Sequence, residues 1–256
     1  MKNNRRAFIK LAAVAAAGLA VAPKAMASGG GHSPVKPHSN GLHAKQWAMV
    51  IDTTKLHTKE EIGKLADVCH SIHNVPEIEG KQEIKWLWAD KYAHTFTEQE
   101  NPFISDEVHE RTFPLLCNHC ESPSCVRVCP TKATYKRPDG IVAMDYHRCI
   151  GCRYCMAACP YGSRSFNWGE PRKNLDLSKL NTKFPTRMRG VVEKCNFCVE
   201  RLAIGEQPAC AEASEGAIVF GDLYDPESPV RQVLRERFTI RRKPSAGTEP
   251  CVYYVI

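Results

Sequence analysis

Two runs of four cysteines, each ending in Cys-Pro, constrain this chain more than any other feature. They are Cys117-x2-Cys120-x4-Cys125-x3-Cys129-Pro130 and Cys149-x2-Cys152-x2-Cys155-x3-Cys159-Pro160. Three thiolates on a tight loop can reach one multinuclear metal centre. The fourth cysteine opens a helix that points away, toward a neighbouring centre. Proline suits that first helical position, because its missing N–H is not needed there.

In this spacing three cysteines grip one 4Fe–4S cluster and the fourth ligates its neighbour. The exchange predicts two sites, Cys117, Cys120, Cys125 with Cys159, and Cys149, Cys152, Cys155 with Cys129. Zinc is the rival metal, since C-x2-C pairs also bind zinc. Thirteen cysteines in an exported chain first suggest disulfides. Two complete runs ending in Cys-Pro favour clusters over both. A third set, Cys195-x2-Cys198-x11-Cys210-x3-Ser214, carries serine at its fourth position. No C-x-x-C-H occurs, so no c-type haem attachment is expected.

The first residues point to export. Asn4-Arg5-Arg6-Ala7-Phe8-Ile9-Lys10 precedes an alanine-rich run, Leu11 to Ala22, and a small-x-small site at Ala25-Met26-Ala27. Residues 1–27 therefore read as a twin-arginine signal peptide. That route exports folded proteins, as a cofactor loaded beforehand requires. The expected location is the periplasm, peripheral to the inner membrane. Residues 28–44, rich in Gly, Ser, Pro and His at their start, read as a flexible tether. The formal charge of +7 comes mostly from the signal. Without residues 1–27, which hold five bases and no acid, 30 bases face 28 acids, or +2. No nucleic-acid partner is expected. No later segment approaches the roughly 18 apolar residues of a transmembrane helix.

Certain motifs resemble a known family. They are Cys149-Ile150-Gly151-Cys152-Arg153-Tyr154-Cys155, Ala158-Cys159-Pro160-Tyr161-Gly162, Lys194-Cys195-Asn196-Phe197-Cys198, Pro208-Ala209-Cys210 and Phe220-Gly221-Asp222-Leu223. From about residue 45 to 256 the chain resembles the four-cluster ferredoxin-like subunits of respiratory oxidoreductases. Nitrite-, polysulfide- and dimethyl-sulfoxide-reductase electron-transfer subunits are among them. The resemblance implies an α+β fold of two ferredoxin-like pairs, with short strands and helices and much irregular loop. Residues 45–110 and 190–256 would form one module, and 111–189 the other.

In that family the first cysteine group follows a strand, here Trp47 to Asp52. Thr53 to Val68 contains no cysteine, and Cys69, seven residues before Pro76, fits that group's fourth position. Three ligands of the first group normally share a cluster with the fourth ligand of the last. All four are missing, so the resemblance implies that one whole cluster site is lost. It also implies a third complete site of Cys195, Cys198, Cys210 and Cys69, giving three 4Fe–4S clusters. Cys251 is left over as a buried thiol. His119 and His147 are expected to pack or hydrogen-bond, and Ser214 not to ligate.

Thr58-Lys59-Glu60-Glu61 is a capping box, and Ile62, Leu65, Ala66 and Cys69 recur at helical spacing. This predicts a helix from Lys59 to His70 where a cluster-binding loop would otherwise lie. Ala133–Tyr135 and Ile141–Met144 flank the turn Arg137-Pro138-Asp139-Gly140 and predict a hairpin. Ala217–Phe220 predicts a strand, and Val230–Arg237 a helix begun at Pro229.

No nucleophile–base motif, nucleotide loop or molybdenum-type signature accompanies the cysteines. The chain reads as an electron-transfer subunit, not an enzyme by itself. The family implies a quinone-reactive integral membrane partner. The altered end suits a periplasmic multihaem cytochrome. Within the family the resemblance is greatest to DsrO-type subunits of the DsrMKJOP complex associated with dissimilatory sulfite reduction. That implies DsrP-like, DsrJ-like and DsrMK-like partners and menaquinone. The alternatives are the iron–sulfur subunit of a hydrogenase, quinone reductase or molybdenum reductase, and a zinc- or disulfide-stabilised binding module.

Overall fold

A computed structural model describes residues 39–256. The expected signal peptide, 1–27, and residues 28–38 of the expected tether lie outside the described residues.

Strand β1 (Trp47–Asp52) is buried along its whole length. It is central in a four-stranded sheet of order β8 (Ile218–Asp222), β1, β10 (Val252–Val255), β9 (Thr239–Ile240). It pairs parallel with β10 and antiparallel with β8. Alternate side chains leave opposite faces of a strand. Trp47, Met49 and Ile51 enter the main core, whereas Ala48 and Val50 meet Val230 in a second one. Covering on both faces explains the nearly unbroken apolar run. The helix Pro229–Glu236 covers the second core, starting on proline as expected.

Helix α1 (Lys59–His73) starts where its capping box predicts. The Glu61 N–H donates to the Thr58 hydroxyl at 3.3 Å, and the Thr58 N–H donates to the Glu61 carboxylate at 3.1 Å. Ile62, Leu65, Cys69 and His73 form its buried face. The helix outruns its predicted end at His70. Asn74 stops it in the left-handed conformation, φ 50°, and its N–H donates to the His70 carbonyl. Val75, preceding Pro76, is disfavoured in a helix, so the chain turns there.

The predicted hairpin forms from β4 (Thr134–Lys136) and β5 (Val142–Met144). Its Gly140 has φ +83°, and a Cβ there would overlap the Gln46 side chain. The Asp139 carbonyl accepts from the Trp47 N–H at 3.0 Å, docking the turn beside β1. Two further pairs went unforeseen, β2 (Leu87–Lys91) with β3 (Thr112–Leu116) and β6 (Ser165–Phe166) with β7 (Val192–Glu193). Both join residues from the two expected modules, and residues 39–256 belong to one compact unit. These strands aim the cysteine loops: β3 runs directly into Cys117, and β7 stops just short of Cys195.

Candidate metal centres

The four cysteines of the first predicted site, Cys117, Cys120, Cys125 and Cys159, line one cavity beside Arg164. Those of the second, Cys129, Cys149, Cys152 and Cys155, line another beside Ile150 and Arg153. Cys69 of α1 meets the third set. Burial, and then the neighbouring Cys195, Cys210 and Cys198, push its thiol pKa well up. The structure thus brings together the cysteines of each expected set.

The opening C-x2-C turn of each set, Cys117–Cys120, Cys149–Cys152 and Cys195–Cys198, curls in the same way. Its third residue is left-handed: His119 at φ 40°, Gly151 at 71° and Phe197 at 55°. The curl turns both sulfurs of a pair to one side. A Cβ on Gly151 would stand 2.5 Å from the Gly190 carbonyl oxygen, so glycine is required there. His119 and Phe197 carry side chains in a conformation costing roughly 1–2 kcal/mol each. The cost is met by packing, because both are fully buried.

Ionisation is opposed at several of the sulfurs. Burial, and then Cys117, push Cys120 up to about 12. Burial alone drives Cys210 to about 11, against local backbone hydrogen bonds. Burial, Cys210 and Cys195 likewise raise Cys198. Cys129 is the exception. Burial opposes its ionisation too, but hydrogen bonds from Thr134, Thr131 and Ala133 outweigh that and lower its pKa. Converging buried thiols of this kind call for a cationic, sulfur-loving group. All thirteen cysteines are free of disulfides.

A single zinc ion does not suit these sets. With Zn–S near about 2.3 Å, four sulfurs around one ion stand about 3.8 Å apart. Among the described residues, the group of three His, Cys, Asp or Glu ligand atoms lying within 4.8 Å of one another is His73, Cys198 and Glu200. No all-cysteine group among them is that tight. Sulfurs spread more widely around a common space fit a multinuclear cluster.

Known proteins agree. Residues 108–175 match the 4Fe-4S dicluster domain. The protein is 40% identical to the "Hdr-like menaquinol oxidoreductase iron-sulfur subunit 1" of Archaeoglobus fulgidus, covering 98% of this sequence and 97% of that one. It is 37% identical to the "Menaquinone reductase, iron-sulfur cluster-binding subunit" of Nitratidesulfovibrio vulgaris, covering 82% and 88%. A polysulfide reductase subunit of Wolinella succinogenes is 43% identical over 73% of this sequence and 83% of its own. The chain belongs to this family of iron–sulfur electron-transfer subunits. Its members serve oxidoreductase complexes without being the catalytic subunits.

The other residues singled out in this iron–sulfur subunit have structural roles. Ser214 donates its hydroxyl to the Ala211 carbonyl at 2.7 Å and accepts from the Ile218 N–H at 2.9 Å, closing a turn. His119 Nδ1 accepts from the Val142 N–H at 3.1 Å. His147 is exposed. Cys251 is buried, and its sulfur accepts from Gln46 Nε2 at 3.2 Å.

Four supporting residues escaped the sequence reading. Arg164 Nη2 donates to Cys125 Sγ at 2.9 Å. His73 Nδ1 bonds the Cys69 carbonyl at 2.8 Å, and its Nε2 bonds Glu200 at 2.7 Å. Arg187 and Glu193, both wholly buried, pair at 2.6 Å. That arginine also donates to the carbonyls of His73 and Asn74, at the end of α1. Of these, His73 was within reach, since it follows Cys69 by one helical turn. Nothing local marks the other three.

The sets are also ordered. Cys117 of the first lies close enough to Cys195 of the third to oppose the ionisation of Cys195. Cys125 of the first acts likewise on Cys155 of the second. The first set is therefore the middle one.

Proposed function

We propose that this subunit holds three 4Fe–4S clusters in a row and passes single electrons along them. The clusters are held by Cys69, Cys195, Cys198 and Cys210, then by Cys117, Cys120, Cys125 and Cys159, then by Cys149, Cys152, Cys155 and Cys129. A bound cluster accepts and returns one electron with little rearrangement. The observation that carries the reading is the meeting of Cys69 with the three cysteines of the incomplete last group.

The chain's own residues keep the row dry. Every cysteine of the third set is buried, as are three of the first. The second set comes nearest the surface: Cys129, Cys149 and Cys152 are half-buried, beside the exposed Ile150 and Tyr154. A partner's redox centre approaches most closely there.

The terminal partners are a quinone-reactive integral membrane subunit and a periplasmic redox protein, a multihaem cytochrome. Menaquinone is the membrane carrier, a choice supported by relatives named for menaquinol and menaquinone. The motifs Arg5-Arg6 and Ala25-Met26-Ala27 support twin-arginine export to the periplasm. The complex is of the DsrMKJOP kind, with this chain as its DsrO-type subunit beside DsrP-like, DsrJ-like and DsrMK-like components. A second reading, the iron–sulfur subunit of a quinone reductase, is favoured by the menaquinone reductase relative.

Iron, acid-labile sulfide and the reduced-state EPR spectrum of anaerobically purified protein test the cluster count. About twelve irons and three interacting cubane signals are expected. About eight irons would remove the third site, and stoichiometric zinc would end the electron-transfer reading. Co-purification with a haem protein and a quinone-binding membrane protein, against neither, tests the partners.

A further inference from the structure

Arg164 is a buried cation among sulfurs. It is 5% exposed. Its Nη2 donates to Cys125 Sγ and to the Thr134 hydroxyl, each at 2.9 Å. Its Nη1 is buried with no partner and belongs to a side chain lining the cavity of the first set. No carboxylate pairs with it among the described residues. The negative charges that would stabilise it are thiolates on both sides: Cys125, Cys117 and Cys159 of the first set, and Cys155 of the second. A buried guanidinium persists only where charge and hydrogen bonds compensate it. The free Nη1 and the surrounding sulfurs fit a compensating negative charge on the thiolates and the group they would hold.

The geometry points to Arg164 as a positioning residue shared by two sites, a fixed positive charge that raises the reduction potentials of the first and second clusters together. The inference rests on the three-cluster reading above. Reduction adds one negative charge to a cluster. A cation in a low-dielectric interior favours that charge, and a donor to the ligand sulfur favours it further. Its direct sulfur contact is with Cys125, and the sulfurs that act most strongly on it all belong to the first and second sets. Arg164 therefore makes the step from the third site to the first more favourable for an electron, while shifting the first and second in the same direction. It acts as a bias built into the row.

The test is an EPR-monitored redox titration of the full-length, anaerobically purified protein in wild-type, Arg164→Gln and Arg164→Lys forms. The third site's signal is assigned by its disappearance in Cys69→Ala. In Arg164→Gln two of the three potentials should fall while the third site's stays at its wild-type value. Arg164→Lys, which keeps the charge, should recover most of the shift. Unchanged potentials in a fully loaded Arg164→Gln would overturn the proposal, as would an equal fall at all three sites. Iron lost from both variants, with the retained sites unshifted, would make Arg164 purely structural and overturn it too. The iron content of the wild type judges the three-cluster reading separately.

Discussion

The His119 ring stacks on Phe197 with centroids 3.7 Å apart and planes at 22°. Each residue is the left-handed third member of a C-x2-C turn, one in the first cysteine set and one in the third. The stack therefore clamps together the two loops that carry Cys117 and Cys195, sulfurs of different sets near enough to interact. Phe197 also packs edge-on against Phe220 of β8, which anchors the clamp to the sheet. Phe197→Ala removes both contacts. It should cost about 3–5 kcal/mol and loosen the first and third sites together. Unfolding monitored in parallel by circular dichroism and cluster absorbance checks this.

Cys69→Ala should remove the third site alone. Iron falls by about a third, from about twelve to about eight per chain, with the EPR signals of the first and second sites retained. Iron analysis and reduced-state EPR read the outcome.

Ser214 occupies a ligand position in sequence but a turn position in space. Ser214→Ala should leave the iron content unchanged. It strands the Ile218 N–H and should cost about 1–3 kcal/mol. Metal analysis with a thermal melt separates the two effects.

Glu193 takes a hydrogen bond from Trp86 Nε1 at 3.0 Å and an ion pair from Arg187. Glu193→Gln leaves a buried arginine without its counter-charge, which should cost about 3–5 kcal/mol. Arg187 holds the carbonyls at the end of α1. The third site, ligated from that helix, should therefore release iron first under mild denaturant.

Burial, and then Glu121, push the Cys251 thiol up to about 12. The folded state keeps it neutral, whereas the unfolded chain ionises it from about pH 8.5. Its contribution to stability is complete below that pH and is lost as pH rises toward 12. The slope is up to about 1.4 kcal/mol per pH unit. Denaturation midpoints between pH 8 and 10 should fall less steeply in Cys251→Val than in wild type. The native thiol should resist alkylation at pH 8.

The sequence disclosed what is local. Trp47–Asp52 announces a doubly covered strand by its unbroken apolar run, and Thr58 with Glu61 announces the start of α1. Cysteine spacing announces which sulfurs of the two full runs line a common cavity, because loop length limits how far three thiolates can reach. The buried charges stayed hidden. Arg164, Arg187 and Glu193 look like ordinary surface residues until strands distant in sequence close over them. The β2–β3 pair was equally silent, since Leu87-Trp88-Ala89-Asp90-Lys91 shows no clean alternation. The end of α1 was misplaced for a different reason: Asn74 before Val75-Pro76 stops the helix at His73, three residues past its predicted end at His70.

The first turns of α1 have an evolutionary consequence. Ile62 and Leu65 fill the core there, and Thr58 and Glu61 close the helix with their own hydrogen bonds. One cysteine substituted into that face would find no companion sulfurs and would forfeit an apolar contact. Building a further cubane there would need several changes at once, together with unwinding of a capped helix. Each intermediate would be worse than the present protein. The helix thus works as a ratchet, holding the lineage to a shorter row of metal sites.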